Sequence, residues 1–299
     1  MSKARRILII GANGFVGKNL IQLFLQNGDD VTATSRRNPP SLVTPYKHCH
    51  LDLTDKATVQ EYFQASDHEY VINASGYINH ATTLPEGRSI IDVHLGATRN
   101  IVNALLTSTS LKRYIHLGSS DEYGSSPSPQ TESIREQPFS FYSYAKVSAT
   151  HYLQTIAKLY GFPCTIIRPF LLYGPSMSQH RFLGSLIAAL KNDLAFPMSY
   201  GEQVRDFTHI KDLFSLILCL FSSNELLGEV VNVGSGEPVT IKNVASFFDS
   251  RIPTGRVLLG AIPYRDNENM LLFPSLVKVH SSLGWKPSIP PYVGFKDLL

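Results

Sequence analysis

Seven residues near the start of the chain, Gly11-Ala12-Asn13-Gly14-Phe15-Val16-Gly17, follow directly on the apolar run Ile7-Leu8-Ile9-Ile10 and open a segment of helical periodicity. The glycines are spaced GxxGxxG. A tight turn out of a strand, a close approach of backbone to a bound group and close packing of helix on strand each call for a residue without Cβ. A helix that begins near Gly14 offers its free N–H groups and the positive end of its dipole to phosphate. Three glycines also serve purely local turns, so the context carries the weight. The motif ends a strand, opens an apolar helix and is followed by a second strand at the spacing of a βαβ unit.

That rhythm continues for about half of the chain. Arg6–Ile10, Val31–Thr34, His48–Leu51, Tyr70–Asn73, Arg113–Leu117 and Thr165–Ile167 read as buried strands. Phe15–Gln26, Lys56–Phe63, Ile90–Leu106 and Tyr142–Leu159 read as helices. Such alternation implies right-handed crossovers and a doubly wound parallel sheet, an α/β fold. After about residue 170 Pro and Gly punctuation loosens the pattern, at Tyr173-Gly174-Pro175, Phe196-Pro197 and Gly234-Ser235-Gly236-Glu237-Pro238. The expected division is a nucleotide-binding domain over 1–170 and a smaller lobe, mainly substrate-binding, over 171–299, with some segments returning to the first domain.

Charge excludes several partners. With 27 basic against 24 acidic residues and no long single-sign run, the sequence carries no nucleic-acid or polybasic membrane signature. Cys49, Cys164 and Cys219 lie far apart and show neither disulfide pairing nor metal spacing, which suits a reducing cytoplasm and no metal site. Lys3, Arg5 and Arg6 precede only four apolar residues, too few for a signal peptide. The apolar stretch Leu213–Phe221 is far shorter than the ~20 residues of a membrane span and reads as a buried helix.

At the end of the second strand, where a carboxylate would bond the ribose hydroxyls of NAD, stands Ser35-Arg36-Arg37. Guanidinium groups suit a 2′-phosphate, which favours NADP, with NAD the weaker expectation. Asp52, ahead of Leu53, either meets the adenine amino group or caps the next helix. Tyr142 and Lys146, four apart on one helical face, can meet. A phenol with a pKa of about 10 is a poor base at neutral pH, and a neighbouring ammonium favours its ionised form. Upstream, His116-Leu117-Gly118-Ser119-Ser120-Asp121-Glu122-Tyr123-Gly124 ends a strand in hydroxyls and carboxylates, at the edge of the sheet where ligands bind.

With these motifs on the page, the chain resembles an extended short-chain dehydrogenase/reductase of the NAD(P)-dependent sugar-nucleotide epimerase/dehydratase family. The likeness runs over nearly the whole chain and implies a Rossmann-type fold. It places Gly11, Asn13, Gly14, Phe15, Val16 and Gly17 at the phosphate-binding turn. Ser35, Arg36, Arg37, Asp52 and Leu53 fall at the adenosine end, and Ala74, Ser75 and Gly76, in Asn73-Ala74-Ser75-Gly76, along the cofactor. Tyr142 and Lys146 match the YxxxK pair that serves both cofactor and catalysis. Ser120 aligns with the catalytic hydroxyl and Ser119 is its near rival. The resemblance also implies substrate contacts at Arg205, in Arg205-Asp206-Phe207, and at Arg265, Tyr173 and Phe182. The two arginines would hold the diphosphate of a nucleotide-linked sugar, and a homodimer is compatible with the family. Leu283-Gly284-Trp285-Lys286-Pro287 reads as structural, with Trp285 anchoring the tail.

The core residues do not separate a 4-ketoreductase, an epimerase and a 4,6-dehydratase, because each chemistry exchanges hydride at a sugar carbon. The arginine pair and the tail from Gly201 to Pro287 favour a reductase. Epimerase comes next. Asp121-Glu122 resembles the acid/base pair of a dehydratase, the third reading. Outside these stands an inactive NADP-binding sensor or scaffold. The typical family Asn is not apparent around Val93-His94-Leu95-Gly96.

Overall fold

The computed structural model describes residues 4–37, 45–80, 83–266 and 268–299; Lys3 of the N-terminal basic cluster lies outside them. Six strands, β1 (Arg6–Ile10), β2 (Asp30–Ser35), β3 (Lys47–His50), β4 (Tyr70–Asn73), β5 (Arg113–Leu117) and β6 (Cys164–Pro169), join Val230–Val233 in one sheet. The strand order is Val230–Val233, β6, β5, β4, β1, β2, β3. β1 pairs in parallel with both β2 and β4, and parallel pairing continues outward on each side. This is the Rossmann-type doubly wound sheet expected. Ile7, Leu8, Ile9 and Ile10 are buried because helices cover both faces, which is why β1 reads as an unbroken apolar run rather than an alternating one. Strand order reverses between β1 and β4, and that reversal opens a crevice at their carboxyl ends.

The helices that matter to the site are α1 (Phe15–Gln26), α2 (Lys56–Gln64), α3 (Leu84–Ile91), α4 (Ala97–Leu105) and α5 (Phe141–Tyr160). α5 starts at Ser140, whose hydroxyl accepts from the Ser143 amide, and stops at Gly161 in the left-handed conformation. The single helix expected over Ile90–Leu106 begins already at Leu84, with Pro85 in its first turn, and is interrupted by one π-helical turn, Asp92–Gly96. Period-3.6 reading cannot register one extra residue wound into a helix.

The chain divides into two compact units. The first comprises Met1–Gly124, Arg135–Arg168 and Phe214–Val231, and the second Ser125–Ile134, Pro169–Leu213 and Asn232–Leu299. The expected division after residue 170 lies close to the crossing between Arg168 and Pro169. The early excursion Ser125–Ile134 has no counterpart in the sequence reading. In the first unit Leu8, Val71, Ile101, Tyr114, Leu153 and Ile166 form one core, and Phe214, from the apolar Leu213–Phe221 stretch, packs edge-on against Phe24.

The second unit has its own aromatic core around Tyr173, Phe207, Phe248 and Phe295. Val204–Arg205 pairs antiparallel with Val239–Thr240 and parallel with Leu271–Leu272. The buried Asp206 carboxylate accepts from the Ser235 and Gly236 amides at 2.6 and 2.9 Å, which ties that strand to the following turn. Trp285 is buried. Among the described residues no helix is long and apolar enough to cross a membrane.

Candidate active site

The glycine turn closes over the carboxyl end of β1. The Gly11 and Ala12 amides both donate to the Thr34 carbonyl, at 2.9 and 3.0 Å, and the Gly14 amide donates to the Gly11 carbonyl. Gly11 adopts φ +92°, and a Cβ there would lie 2.7 Å from the Ala74 carbonyl oxygen, so turn and β4 approach as only glycine allows. A Cβ on Gly17 would run into the Gly11 carbonyl, which is how α1 packs so close to its strand. α1 opens with Phe15 and Val16 after Gly14, which supplies no side-chain cap, and its first turn holds no acidic residue. Its leading N–H groups and dipole are thus left for an anion.

A cavity of about 280 Å³ opens on this turn, lined by Gly11, Asn13, Gly14, Ser35, Arg36, Arg37, Asp52, Leu53, Ala74, Ser75 and Gly76. Every expected residue of the adenosine end and the β4 wall is therefore gathered at one crevice. Asn13 Nδ2 donates to Ser35 Oγ at 3.1 Å and to the Arg37 carbonyl at 2.8 Å, the Ser35 hydroxyl donates to the same carbonyl, and His48 Nε2 lies 2.8 Å from Ser35 Oγ. The knot holds the backbone of Arg36 and Arg37 while both side chains stay exposed. Asp52 does not cap α2; Asp55 does, accepting from the Ala57 and Thr58 amides. Asp52 Oδ1 accepts instead from the Thr54 amide and hydroxyl. Those bonds, with the charge of Arg36, hold its carboxyl below the usual range. The sequence reading missed Tyr77, Val93 and Ala97, which also line it.

Tyr142 and Lys146 meet on the buried face of α5, with Nζ 6.0 Å from the phenol ring centroid. The Lys146 ammonium donates to the Leu117 carbonyl at 2.6 Å, which pins it to the end of β5. Burial pushes its pKa down to about 8, against the pull of Glu122 and Asp121. The ring of His94, from the π-helical turn, meets Tyr142 edge-on at 5.2 Å, and its Nε2 lies 3.0 Å from the Tyr77 carbonyl. Burial, then the Lys146 charge, lowers the His94 pKa to about 3, so its ring is neutral at physiological pH. His116, buried on β5, is likewise held well below its usual range by burial and Lys146.

β5 ends in a 3₁₀ turn, Ser120–Tyr123, with Ser119 as its cap. Ser119 Oγ accepts from the Asp121 amide at 3.1 Å, which leaves its O–H free to point at a ligand, and Ser120 is buried beside it. The same turn separates the two acids that the sequence places side by side. Glu122 is fully buried: its Oε2 takes bonds from Arg168 Nε and Nη2 at 3.0 and 2.7 Å and from the Thr150 hydroxyl at 2.8 Å, and its Oε1 from the Ser119 amide at 2.8 Å. A carboxylate so engaged holds the turn and has no face for a substrate, which corrects its expected role as an acid/base. Asp121 remains partly exposed and lies beside His80, Oδ2 to Nε2 3.7 Å.

In the second unit Arg205 pairs with Glu268 and donates to its neighbour's carbonyl, while Arg265 is exposed. Burial lowers the Arg205 pKa; Glu268 opposes this, and Arg265 is near enough to add repulsion. The two guanidiniums expected at a diphosphate thus share one neighbourhood. Phe182, half-buried at the start of a helix, packs on Phe196 and Phe207. Tyr173, expected against the substrate, is enclosed instead: its ring packs on His209 and Phe295, and its hydroxyl donates to the Pro291 carbonyl. It belongs to the core of that unit.

The uncapped helix start and the glycine cradle fit the pyrophosphate of a dinucleotide. Comparison with known proteins agrees, the family matched being NAD dependent. Residues 7–234 match the NAD dependent epimerase/dehydratase family. The chain is 26% identical to a probable GDP-L-fucose synthase of Oryza sativa subsp. japonica, over 96% of this chain and 89% of that one. It is 23% identical to the dTDP-D-glucose 4,6-dehydratase of Mus musculus, over 99% and 88%. The solved structure of UDP-glucose 4-epimerase from Thermotoga maritima, 20% identical, shares the fold at a TM-score of 0.88 over 97% of this chain and 96% of its own. The chain is an enzyme that belongs to the NAD dependent epimerase/dehydratase family.

Proposed function

We propose that the enzyme is an NADP(H)-dependent reductase of a nucleotide-linked 4-keto-sugar. The observation that carries the reading is the Asn13-braced Ser35-Arg36-Arg37 loop at the end of β2, on the cavity and without a carboxylate at the ribose position. Arginines there suit a 2′-phosphate, and the NADP(H) so selected serves as a dissociable reductant more readily than as a cofactor that takes back its own hydride. The withdrawal of Glu122 into an ion pair weighs against a dehydratase.

In this reading the Gly11–Gly17 turn and the first turn of α1 bind the pyrophosphate, Asp52 and Leu53 lie along the adenine, and Ala74, Ser75 and Gly76 wall the ribose. When bound, NADPH supplies hydride. Tyr142 donates its phenolic proton to the sugar carbonyl oxygen as charge develops there, and Lys146 holds Tyr142 electrostatically. A hydroxyl of Ser119 or Ser120 donates to the same oxygen and fixes the carbonyl. Arg205 and Arg265 supply the charge that a diphosphate needs.

The test is incubation with UDP-, GDP- and dTDP-linked sugars and their 4-keto derivatives, with NADPH or NADH, following absorbance and product mass. Stoichiometric NADPH oxidation with a 4-keto substrate is expected. Arg36→Ala with Arg37→Ala should raise KM for NADPH by about 10- to 100-fold, since hydrogen bonds to charged groups contribute ~1.5–3 kcal/mol, and leave that for NADH alone. A mass-neutral isomer without net cofactor use would make the enzyme an epimerase, loss of water a dehydratase, and no turnover at all a sensor.

A further inference from the structure

Tyr142 lies against two imidazoles of opposite character. His94 is buried and neutral. His80 is half exposed; its ring stacks on Phe139 at 5.8 Å and 15° and meets Tyr142 edge-on at 5.7 Å and 81°. Its Nε2 faces Asp121 Oδ2 at 3.7 Å. The segment after β4, the 3₁₀ turn after β5 and the start of α5 thus converge to set a carboxylate–imidazole pair beside the phenol.

Reduction of a carbonyl leaves this pair without a task. It needs one proton at the oxygen, which Tyr142 with Lys146 provides. Glu122, next to Asp121 in sequence, is tied to Arg168, whereas Asp121 faces His80. A carboxylate facing one imidazole nitrogen leaves the other to take and return protons.

We propose that His80, oriented by Asp121, is a second acid–base group of the site and takes and returns a proton at a substrate carbon flanking the carbonyl. The proposal rests on the 4-keto-sugar reading above, because hydrogens beside a ketone are acidic. The step balances without an oxidant or reductant. Nδ1 of neutral His80 accepts the proton, the C–H electron pair becomes the carbon–carbon π bond, and the carbonyl π pair moves to oxygen. The enolate oxygen takes a hydrogen bond from Tyr142. The imidazolium, open to water, exchanges its proton and returns one to the same carbon.

The experiment follows two signals from the same protein. UDP-, GDP- and dTDP-linked 4-keto-6-deoxyhexoses are incubated in D2O with NADP+, and deuterium at the carbons flanking the ketone is read by NMR; NADPH oxidation is followed separately. The wild type is expected to exchange. His80→Gln should exchange at least about 100-fold more slowly, within the ~10²–10⁴-fold typical of acid–base catalysis, with NADPH binding retained. Added imidazole should restore part of the rate in His80→Ala, and Asp121→Asn should slow exchange as well. Undiminished exchange in His80→Gln, or reduction by the wild type without any exchange, would overturn the proposal and leave the reductase standing. Absence of both reactions with every probe would overturn both.

Discussion

Lys146 is the residue whose environment sets the most direct experimental signature. Its pKa of about 8 means that the ammonium beside Tyr142 is present at neutral pH and lost within reach of an ordinary assay. kcat/KM should therefore fall about tenfold per pH unit above about pH 8, and Lys146→Arg should remove that limb, because guanidinium stays charged. A profile flat to pH 10 would contradict it. For stability the sign is opposite. The folded pKa lies below the ordinary ~10.5 of lysine, so between about pH 8 and 10.5 the unfolded chain binds more protons and this group makes folding more favourable as pH rises.

Glu122 makes a second prediction at the same scale. Burial works against the Arg168 charge, yet Glu122, Tyr123 and Glu136 together raise its pKa. Glu122→Gln would leave that buried charge with Glu136 as its remaining carboxylate. Because Glu136 still compensates the charge, a loss of about 1–3 kcal/mol in denaturant unfolding is expected, and a change below about 1 kcal/mol would show that the pair does not hold the turn. In sequence Asp121 and Glu122 are equivalent neighbours. What separates them is a 3₁₀ turn that sends successive side chains to different sides, and an arginine 46 positions away on β6. Neither is visible in a local motif.

At the scale of elements, legibility follows the range of the physics involved. The glycine turn and the Tyr142–Lys146 pair could be read because spacing within a few residues determines them. α5 begins and ends within a residue of its expected bounds, its Ser140 cap and Gly161 stop being local chemistry. The helix carrying His94 could not be read so well: the π-helical turn Asp92–Gly96 brings that imidazole onto Tyr142, and side-chain periodicity does not reveal such a turn. His80 stayed unread for a related reason, since its neighbours come from two other segments, the turn after β5 and the start of α5. The glycine turn yields its own prediction. Gly11→Ala would force a Cβ against the Ala74 carbonyl at a positive φ, so NADPH affinity should drop at least about tenfold, the equivalent of ~1.4 kcal/mol, with a lower Tm. Unchanged affinity by fluorescence titration would show that the turn is not held by contact with β4.

At the scale of the whole chain, the first unit carries the sheet, the cavity with Arg36 and Arg37, and the Tyr142–Lys146 pair, and the second carries Arg205 and Arg265. The chain passes between the units repeatedly. The parallel sheet was legible because five strands announce themselves as short, largely apolar runs between helices; β3, expected to be buried, is the polar edge strand Lys47–His50 with no buried residue. The Ser125–Ile134 excursion was not, because its partners in the second unit, the Phe273 carbonyl, the Ser275 amide and the Asn232 side chain, lie about a hundred positions downstream or more. Tyr173 shows the same limit: a family motif located the segment, and only packing revealed that the side chain points into a core. The central claim, hydride delivery from NADPH to a sugar ketone with Tyr142 as proton donor, is tested most directly with NADPH deuterated at the transferring carbon. A nucleotide-linked 4-keto-sugar should yield a reduced sugar with one deuterium at the former carbonyl carbon, a product that Tyr142→Phe does not form although it still binds NADPH. An isomerised sugar carrying no deuterium, with NADPH unconsumed, would contradict the account.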